Sequence, residues 1–444
     1  MNLIGADNMM TIESSPSLAH DYAAAAERRV YDIDDVDMTA APADLGHICV
    51  VGGGQMGSGI ATALLENGVR VTLMETSDDR IEGAAARIRA NWSNRVKRGE
   101  LTESDIDERM GRFAGVTDLE RAAPAQLFIE AAWESMALKK EIFGRLCQVA
   151  PPGAVLATNT SSLDINLIAE TTDRPQDVIG LHFFSPAHVM RLLEVVRGER
   201  TSDRCIVTAL ALARLLKKVP VVVGVCFGFV GNRIFAARDQ QTSRMLLEGA
   251  SPQQIDDAMQ HFGFPMGPFA LQDMAGGIEL TWRLRQQTGD VDEIGDALYE
   301  AGRLGQRTGR GYYRYEPSNR SPLPDPEVNA IIAGLRQKYG IVPRSVESEE
   351  IIDRMILPMI NEAAKILDEG IAQRASDIDV VWNTGYGFPL DKGGITYHAD
   401  TIGLPMILKR LRRLQAEHGD HFAPAPMIER MVAEGQPLSE SKRS

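Results

Sequence analysis

Residues 47–75 read HICVVGGGQMGSGIATALLENGVRVTLME, and the order of residue types in this stretch decides the fold. The apolar run HICVV has the length of a buried strand. Gly52, Gly54 and Gly57 follow it, a helix begins at Ile60 to Glu66, and VRVTLME reads as a second strand. Strand, glycine loop, helix and strand in that order make a β-α-β unit. Each glycine has a physical reason: Gly52 allows the tight turn, Gly54 lets backbone approach a pyrophosphate, and Gly57 lets helix pack on strand. The phosphates then meet free N–H groups at the helix start, two of them from Gln55 and Met56. Glu75 ends the second strand, about twenty residues on, where a carboxylate accepts hydrogen bonds from a ribose diol. It repels a 2′-phosphate, so NAD is favoured over NADP; FAD enzymes share the glycine pattern. A glycine turn without a ligand is the plainer reading, and the strand, helix and acid in place weigh against it.

The same logic extends outward. AQLFIEAA and GAVLATN read as parallel strands with a helical KKEIFGRLCQVA between them, DVIGLHFFSP and RLLEVVRG as a closely spaced strand pair, and KVPVVVGV as a last strand. Residues 46–224 therefore form a Rossmann-type, doubly wound α/β domain. From Gly228 the periodicity is almost entirely helical. NRIFAARDQQTSRMLLEGAS, QQIDDAM and FGFPMGPFALQDMAG are followed, in the same order, by DRMILPMINEAAKILDEGIA, SDIDVVW and YGFPLDKGGITYHADTIG. This predicts an internally duplicated all-α domain, with copies at 225–318 and 345–440 and a linker at 319–344. Residues 1–45, polar, acidic and rich in Ala and Pro, read as a leader or linker that adds little to a core.

The formal charge of −14 argues against nucleic acid as the main partner and requires local basic or backbone-donor sites for any anionic ligand. No apolar run is long enough to span a membrane, and no signal or lipidation motif is present, so the cytoplasm is expected. Cys49, Cys147, Cys205 and Cys226 lack metal spacing and read as reduced thiols; no metal is expected.

A site that takes hydride from a secondary alcohol also needs a base near neutrality, held by a carboxylate. Of eight histidines, His182 ends the apolar strand VIGLHFF at the sheet edge where α/β folds place ligands. Glu194 lies in the next strand, after SPAHVM, so the two can meet and the carboxylate can fix the imidazole tautomer. A structural, hydrogen-bonded histidine is the plainer reading, and His188 is assigned to it. His261, His398, His418 and His421 are expected at the surface or at helix ends.

At this point the sequence resembles the L-3-hydroxyacyl-CoA dehydrogenase family, most closely the dehydrogenase half of bifunctional and multifunctional β-oxidation enzymes. The matching stretches are GGGQMGSGIA, FIEAAWESMALKKEIF, TNTSSL, GLHFFSPAHVMRLLEVV, GFVGNRI, FGFPMGPF, GRLGQRTGRGYYRY and YGFPLDKGG, which cover nearly all of 46–405. AAAAERR, before the first strand, resembles the linker that follows the hydratase half of fused enzymes. The resemblance implies His182 as base and Glu194 as its partner, with Ser161 and Asn232 as hydrogen-bonding positions toward substrate and transition state. The plainer readings are a helix N-cap for Ser161 before LDINLIA and a helix cap or bridge for Asn232. It further implies that Glu134, Lys139, Ser161, Ser185 and Arg307 contact the cofactor. The RVKR run, Arg95 to Arg98, is a candidate for the coenzyme A phosphates or else a solvated helix end. Two departures, Gly276-Gly277-Ile278 and Trp133, bear on acyl-chain preference.

The resemblance thus implies NAD-dependent oxidation of an acyl-CoA substrate, (S)-3-hydroxyacyl-CoA, to 3-oxoacyl-CoA. In monofunctional relatives the helical domain forms a dimer; a second copy in the partner's place favours a monomer, with a separate hydratase or thiolase as associate. The rivals are a dehydrogenase of a free 3-hydroxy acid and a non-catalytic acyl-CoA- or NAD-binding subunit.

Overall fold

The computed structural model describes residues 15–289, 291–317 and 319–443. The chain divides into two compact units. The first comprises Pro16–Arg233, Ile366–Tyr386 and the C-terminal tail from Ser439. Its centre is one eight-stranded sheet: β1 (His47–Val51), β2 (Arg70–Met74), β3 (Phe113–Val116), β4 (Leu127–Glu130), β5 (Val155–Thr158), β6 (Val178–Phe183), β7 (Leu192–Arg197) and β8 (Val219–Gly224). The order is β3-β2-β1-β4-β5-β6-β7-β8. The order in which strands are added reverses at β1, and the gap between β1 and β4 is the switch point where doubly wound sheets hold a ligand.

β1 to β6 run parallel and, apart from the edge strand β3, are mostly buried, as expected of strands covered on both faces by helices. β7 is antiparallel to β6, because the connection from Phe184 to Arg191 is too short for a crossover helix, and β8 is parallel to β7. The sequence reading passed over β3, whose FAGV carries only a weak strand pattern.

The expected leader requires correction; its first part, before residue 15, lies outside the described residues. Pro16–Arg29 is a helix whose Ala19, Ala23 and Ala26 are buried against the helix Ala375–Gly385. Alanines at helical spacing make a smooth stripe that admits close approach. Tyr22 adds a hydrogen bond from its hydroxyl to Asp379 Oδ2 at 2.8 Å. Beyond it, Ile33, Val36 and Ala43 join the core of the sheet domain. The helix Ala375–Gly385, read as part of a second helical copy, thus belongs to the sheet-bearing unit, where it packs on β7 and β8.

The second unit comprises Ile234–Lys365 and Gly387–Leu438 and is helical apart from a small hairpin, β9 (Arg314–Glu316) and β10 (Asn319–Leu323). The expected linker at 319–344 is largely regular: β10 is followed by the helix Pro326–Tyr339, which buries Val328 and Ile332 and whose N-terminus is capped by Asp325. Asp256 accepts the N–H groups of Phe269 and Ala270, which open the helix Pro268–Ala275, and the Tyr313 hydroxyl. Asp273 accepts from the Tyr312 and Tyr313 N–H groups and the Tyr315 hydroxyl. Burial outweighs these bonds and pushes both carboxyls up to about 6. His398, expected at the surface or at a helix end, instead lies within the helix Ile395–Ile402 and packs against Phe262 and Phe388, and burial pushes it down to about 4.

Candidate active site

The glycine loop has the predicted shape. Gly52 adopts φ +100, and a side chain there would run into the backbone of Ala131. At Gly57 a Cβ would stand 1.8 Å from the Gly52 carbonyl oxygen, so helix and loop can meet only without one. Gly54 differs: a Cβ there meets nothing within 4 Å. No protein atom therefore demands a glycine there. The helix Gln55–Glu66 starts at Gly54 with no side-chain cap, leaving the N–H groups of its first turn to an anion.

The Glu75 carboxylate accepts the Gly53 N–H at 2.8 Å and the Thr76 N–H at 3.0 Å. It therefore fixes the loop and keeps lone pairs for a diol. Gln55 donates to Ser185 Oγ at 3.2 Å, which ties the loop to the chain just after His182.

His182 and Glu194 are direct partners across β6 and β7. His182 Nδ1 lies 2.7 Å from Glu194 Oε2, and both side chains are buried. Glu194 Oε1 accepts the Gly231 N–H at 2.9 Å. Among the described residues, Nε2 of His182 has no hydrogen-bond partner, so this nitrogen is left to take a proton. Phe184 and Phe229 pack on the imidazole with ring centroids 4.4 and 5.8 Å away, holding its plane.

The remaining expected residues form a polar chain. Glu134 Oε1 accepts from the Thr160 hydroxyl at 2.6 Å and from the Ser161 N–H and hydroxyl at 2.9 and 3.2 Å. Its Oε2 lies 3.3 Å from Lys139 Nζ. Burial pushes the Glu134 carboxyl up, but the Lys139 charge and these hydrogen bonds outweigh it and hold the carboxyl below its usual range. Lys139 is itself buried and gives two bonds of 2.8 and 2.9 Å to Glu130, a carboxylate with no exposed surface that also accepts from Thr158 and the Ala132 N–H. The sequence reading missed Glu130; a charge ending the apolar run LFIE, nine residues before a lysine, is the signal that was there.

Ser161 is not the helix N-cap of the plainer reading, because Asp164 caps the helix Ile165–Ala169. Asn232 Nδ2 points to the Ser161 carbonyl at 3.5 Å, and its Oδ1 accepts the Tyr386 hydroxyl at 2.7 Å. Tyr386, also missed, is 154 residues away in sequence, with only the YGFP motif to flag it.

Other expectations fall elsewhere. Arg307 lies in the helical unit, exposed and paired with Glu279. Arg95 pairs with Glu66 at 2.7 Å and Arg98 with Glu100 at 2.6 Å, which engages two of the three charges assigned to coenzyme A. Arg95 nevertheless borders a cavity of about 390 Å³ that Arg109, His188, Arg191, Lys217 and Lys218 also line, with Glu66 as its acid. Burial pushes Lys218 down to about 8, and its ammonium donates to the Ala187 and Met190 carbonyls. His188 is not the satisfied residue expected: its Nδ1 is buried with no partner among the described residues. Gly276 takes φ +70 between two helices, which explains a glycine there; Trp133 is exposed. Among the described residues no metal-holding group occurs, and no helix is long and apolar enough to cross a membrane.

Comparison with known proteins identifies the family. Residues 47–226 match the profile of the 3-hydroxyacyl-CoA dehydrogenase NAD binding domain, and residues 228–315 and 351–444 match that of the C-terminal domain. The chain belongs to the 3-hydroxyacyl-CoA dehydrogenase family. Its Rossmann domain is the family's NAD-binding domain, and the loop, helix start and Glu75 fit that cofactor. Similar proteins of this family include the peroxisomal bifunctional enzyme of Danio rerio, 39% identical over 89% of this chain and 57% of that protein. The chain therefore spans just over half the length of such relatives. Among solved structures, 3-hydroxybutyryl-CoA dehydrogenase from Escherichia coli superposes with a TM-score of 0.74, at 27% identity, covering 88% of this chain and 99% of that one. The dehydrogenase part of multifunctional enzyme 1 from C. elegans gives 0.69 at 26% identity, covering 95% and 98%. Several relatives carry a peroxisomal or glyoxysomal name, so the cytoplasmic expectation finds no support there.

Proposed function

We propose that this chain oxidises (S)-3-hydroxyacyl-CoA to the 3-oxoacyl thioester, with His182 as the base. The observation that carries the reading is the buried His182–Glu194 pair, with Nε2 left for substrate, on the same sheet and in the same unit as the NAD-binding loop. NAD, when bound, supplies the hydride acceptor. His182 Nε2 takes the proton of the 3-hydroxyl as that carbon gives up hydride, which avoids a free alkoxide. Glu194 offsets the imidazolium charge that results, and the Gly231 N–H keeps the carboxylate aimed. Asn232 keeps a second N–H beyond the one facing Ser161, and this donor suits a substrate oxygen. The Arg95–Lys218 cavity supports an anionic thioester, since it concentrates cations in a chain of net negative charge. Incubation with 3-hydroxyacyl-CoA thioesters of increasing length and NAD tests the reading. NADH formation is expected on at least one of them and none on free 3-hydroxybutyrate. Binding of NAD without turnover at any length would overturn it in favour of a non-catalytic subunit.

The two helical segments further support an internal duplication. Asp256 of the first accepts a tyrosine hydroxyl, that of Tyr313, and Asp379, its counterpart in SDIDVVW, accepts that of Tyr22. We read the second segment as standing in for a dimer partner, so that the chain is a monomer; light scattering after size exclusion tests this, and a dimer mass would refute it. A cytoplasmic location and association with a separate hydratase or thiolase belong to the same proposal. The four unpaired cysteines suit a reducing compartment.

A further inference from the structure

We infer that Tyr386 is a positioning residue for the dehydrogenase reaction, orienting the Asn232 amide through its hydroxyl and steadying the base through Phe184. The inference rests on the function proposed above. An asparagine amide has two ends of nearly equal shape, and its hydrogen bonds decide which end faces the substrate. The Tyr386 hydroxyl donates to Asn232 Oδ1 at 2.7 Å, so Nδ2, the only donor on the side chain, is turned to the Ser161 side. Without that hydroxyl the amide has, among the described residues, only the long 3.5 Å contact to Ser161 to choose its orientation, and a flipped amide would present an acceptor to a developing oxyanion.

The ring has a second role. It meets Phe184 edge-on with centroids 5.4 Å apart, and Phe184 in turn lies 4.4 Å from the His182 imidazole. On its other side the ring stacks on Trp382 at 4.5 Å. It fits only because position 231 is glycine, where a Cβ would stand 2.5 Å from the Tyr386 ring. The same Gly231 holds Glu194, so one turn of chain serves both the dyad and the amide. Tyr386 directly follows the helix Ala375–Gly385, which packs on β7 and β8. A segment of the apparent second copy therefore completes the site around the base.

Tyr386→Phe tests this, because it removes the hydroxyl and keeps both ring contacts. With NAD and the best thioester of the length series, kcat is expected to fall about tenfold, while KM for NAD and the melting temperature stay near wild type. In an Asn232→Ala background the same change is expected to have little further effect, since the amide it orients is gone. A merely structural tyrosine would instead lower the melting temperature and act additively with Asn232→Ala. Unchanged kcat in Tyr386→Phe, or full additivity, would overturn the inference while leaving the proposed function intact. Wild-type protein that binds NAD yet oxidises no thioester would sink both.

Discussion

Across β6 and β7, His182 faces Glu194 with Nδ1 2.7 Å from Oε2, while the opposite carboxylate oxygen is held by the Gly231 N–H. The carboxylate is thus fixed at both ends before substrate arrives, and the imidazole has one nitrogen left to work with. Positioned acid–base groups are worth roughly 10² to 10⁴ in rate. His182→Gln and Glu194→Gln are each expected to lower kcat by about 10²-fold or more, with NAD affinity retained. Near-normal turnover in both, measured by NADH formation, would remove the dyad from the mechanism.

Gly54 and Gly57 offer a contrast within one loop. Alanine at 57 collides with the Gly52 carbonyl and should cost both stability and NAD binding. Alanine at 54 meets no protein atom, so the melting temperature should hold while NAD affinity falls about tenfold, or ~1.4 kcal/mol. Titration with NAD alongside thermal unfolding separates the two. Equal NAD affinity in Gly54→Ala and wild type would mean that the pyrophosphate lies elsewhere.

The Lys139 ammonium sits between Glu130 and Glu134. Lys139→Met would leave the Glu130 carboxylate buried without its cation, an arrangement that costs about 3–5 kcal/mol. Denaturant unfolding should show a loss of that order, and a loss below about 1 kcal/mol would contradict the pairing.

Asp256 and Asp273, both pushed up to about 6 by burial, make the helical unit sensitive to pH. Their folded-state values lie above the ordinary 3.8, so the stabilisation linked to protonation is fully present below about pH 4 and is lost as pH rises through 6. Wild type should therefore lose stability relative to Asp256→Asn from pH 4 to pH 7, by on the order of 2–3 kcal/mol. A difference that stays nearly constant over this range would show the folded carboxyl to be ionised throughout.

The sheet domain was legible because its signals are local. HICVVGGGQMG carries strand, turn and helix start within a dozen residues, and His182 and Glu194 lie twelve apart on a short connection that sets an antiparallel register. Tyr386, Glu130 and the helix Pro16–Arg29 were not legible. Tyr386 reaches Asn232 only through tertiary packing, which leaves no periodic trace. The alanine stripe of Pro16–Arg29 reads as low-complexity sequence until its partner helix is known. Glu130 hides in a run that is otherwise apolar.

Because Ile366–Tyr386 belongs to the sheet-bearing unit, that unit is discontinuous along the chain. A ribosome that has released the whole Rossmann sequence has still not delivered the tyrosine beside Asn232 or the helix that covers β7 and β8.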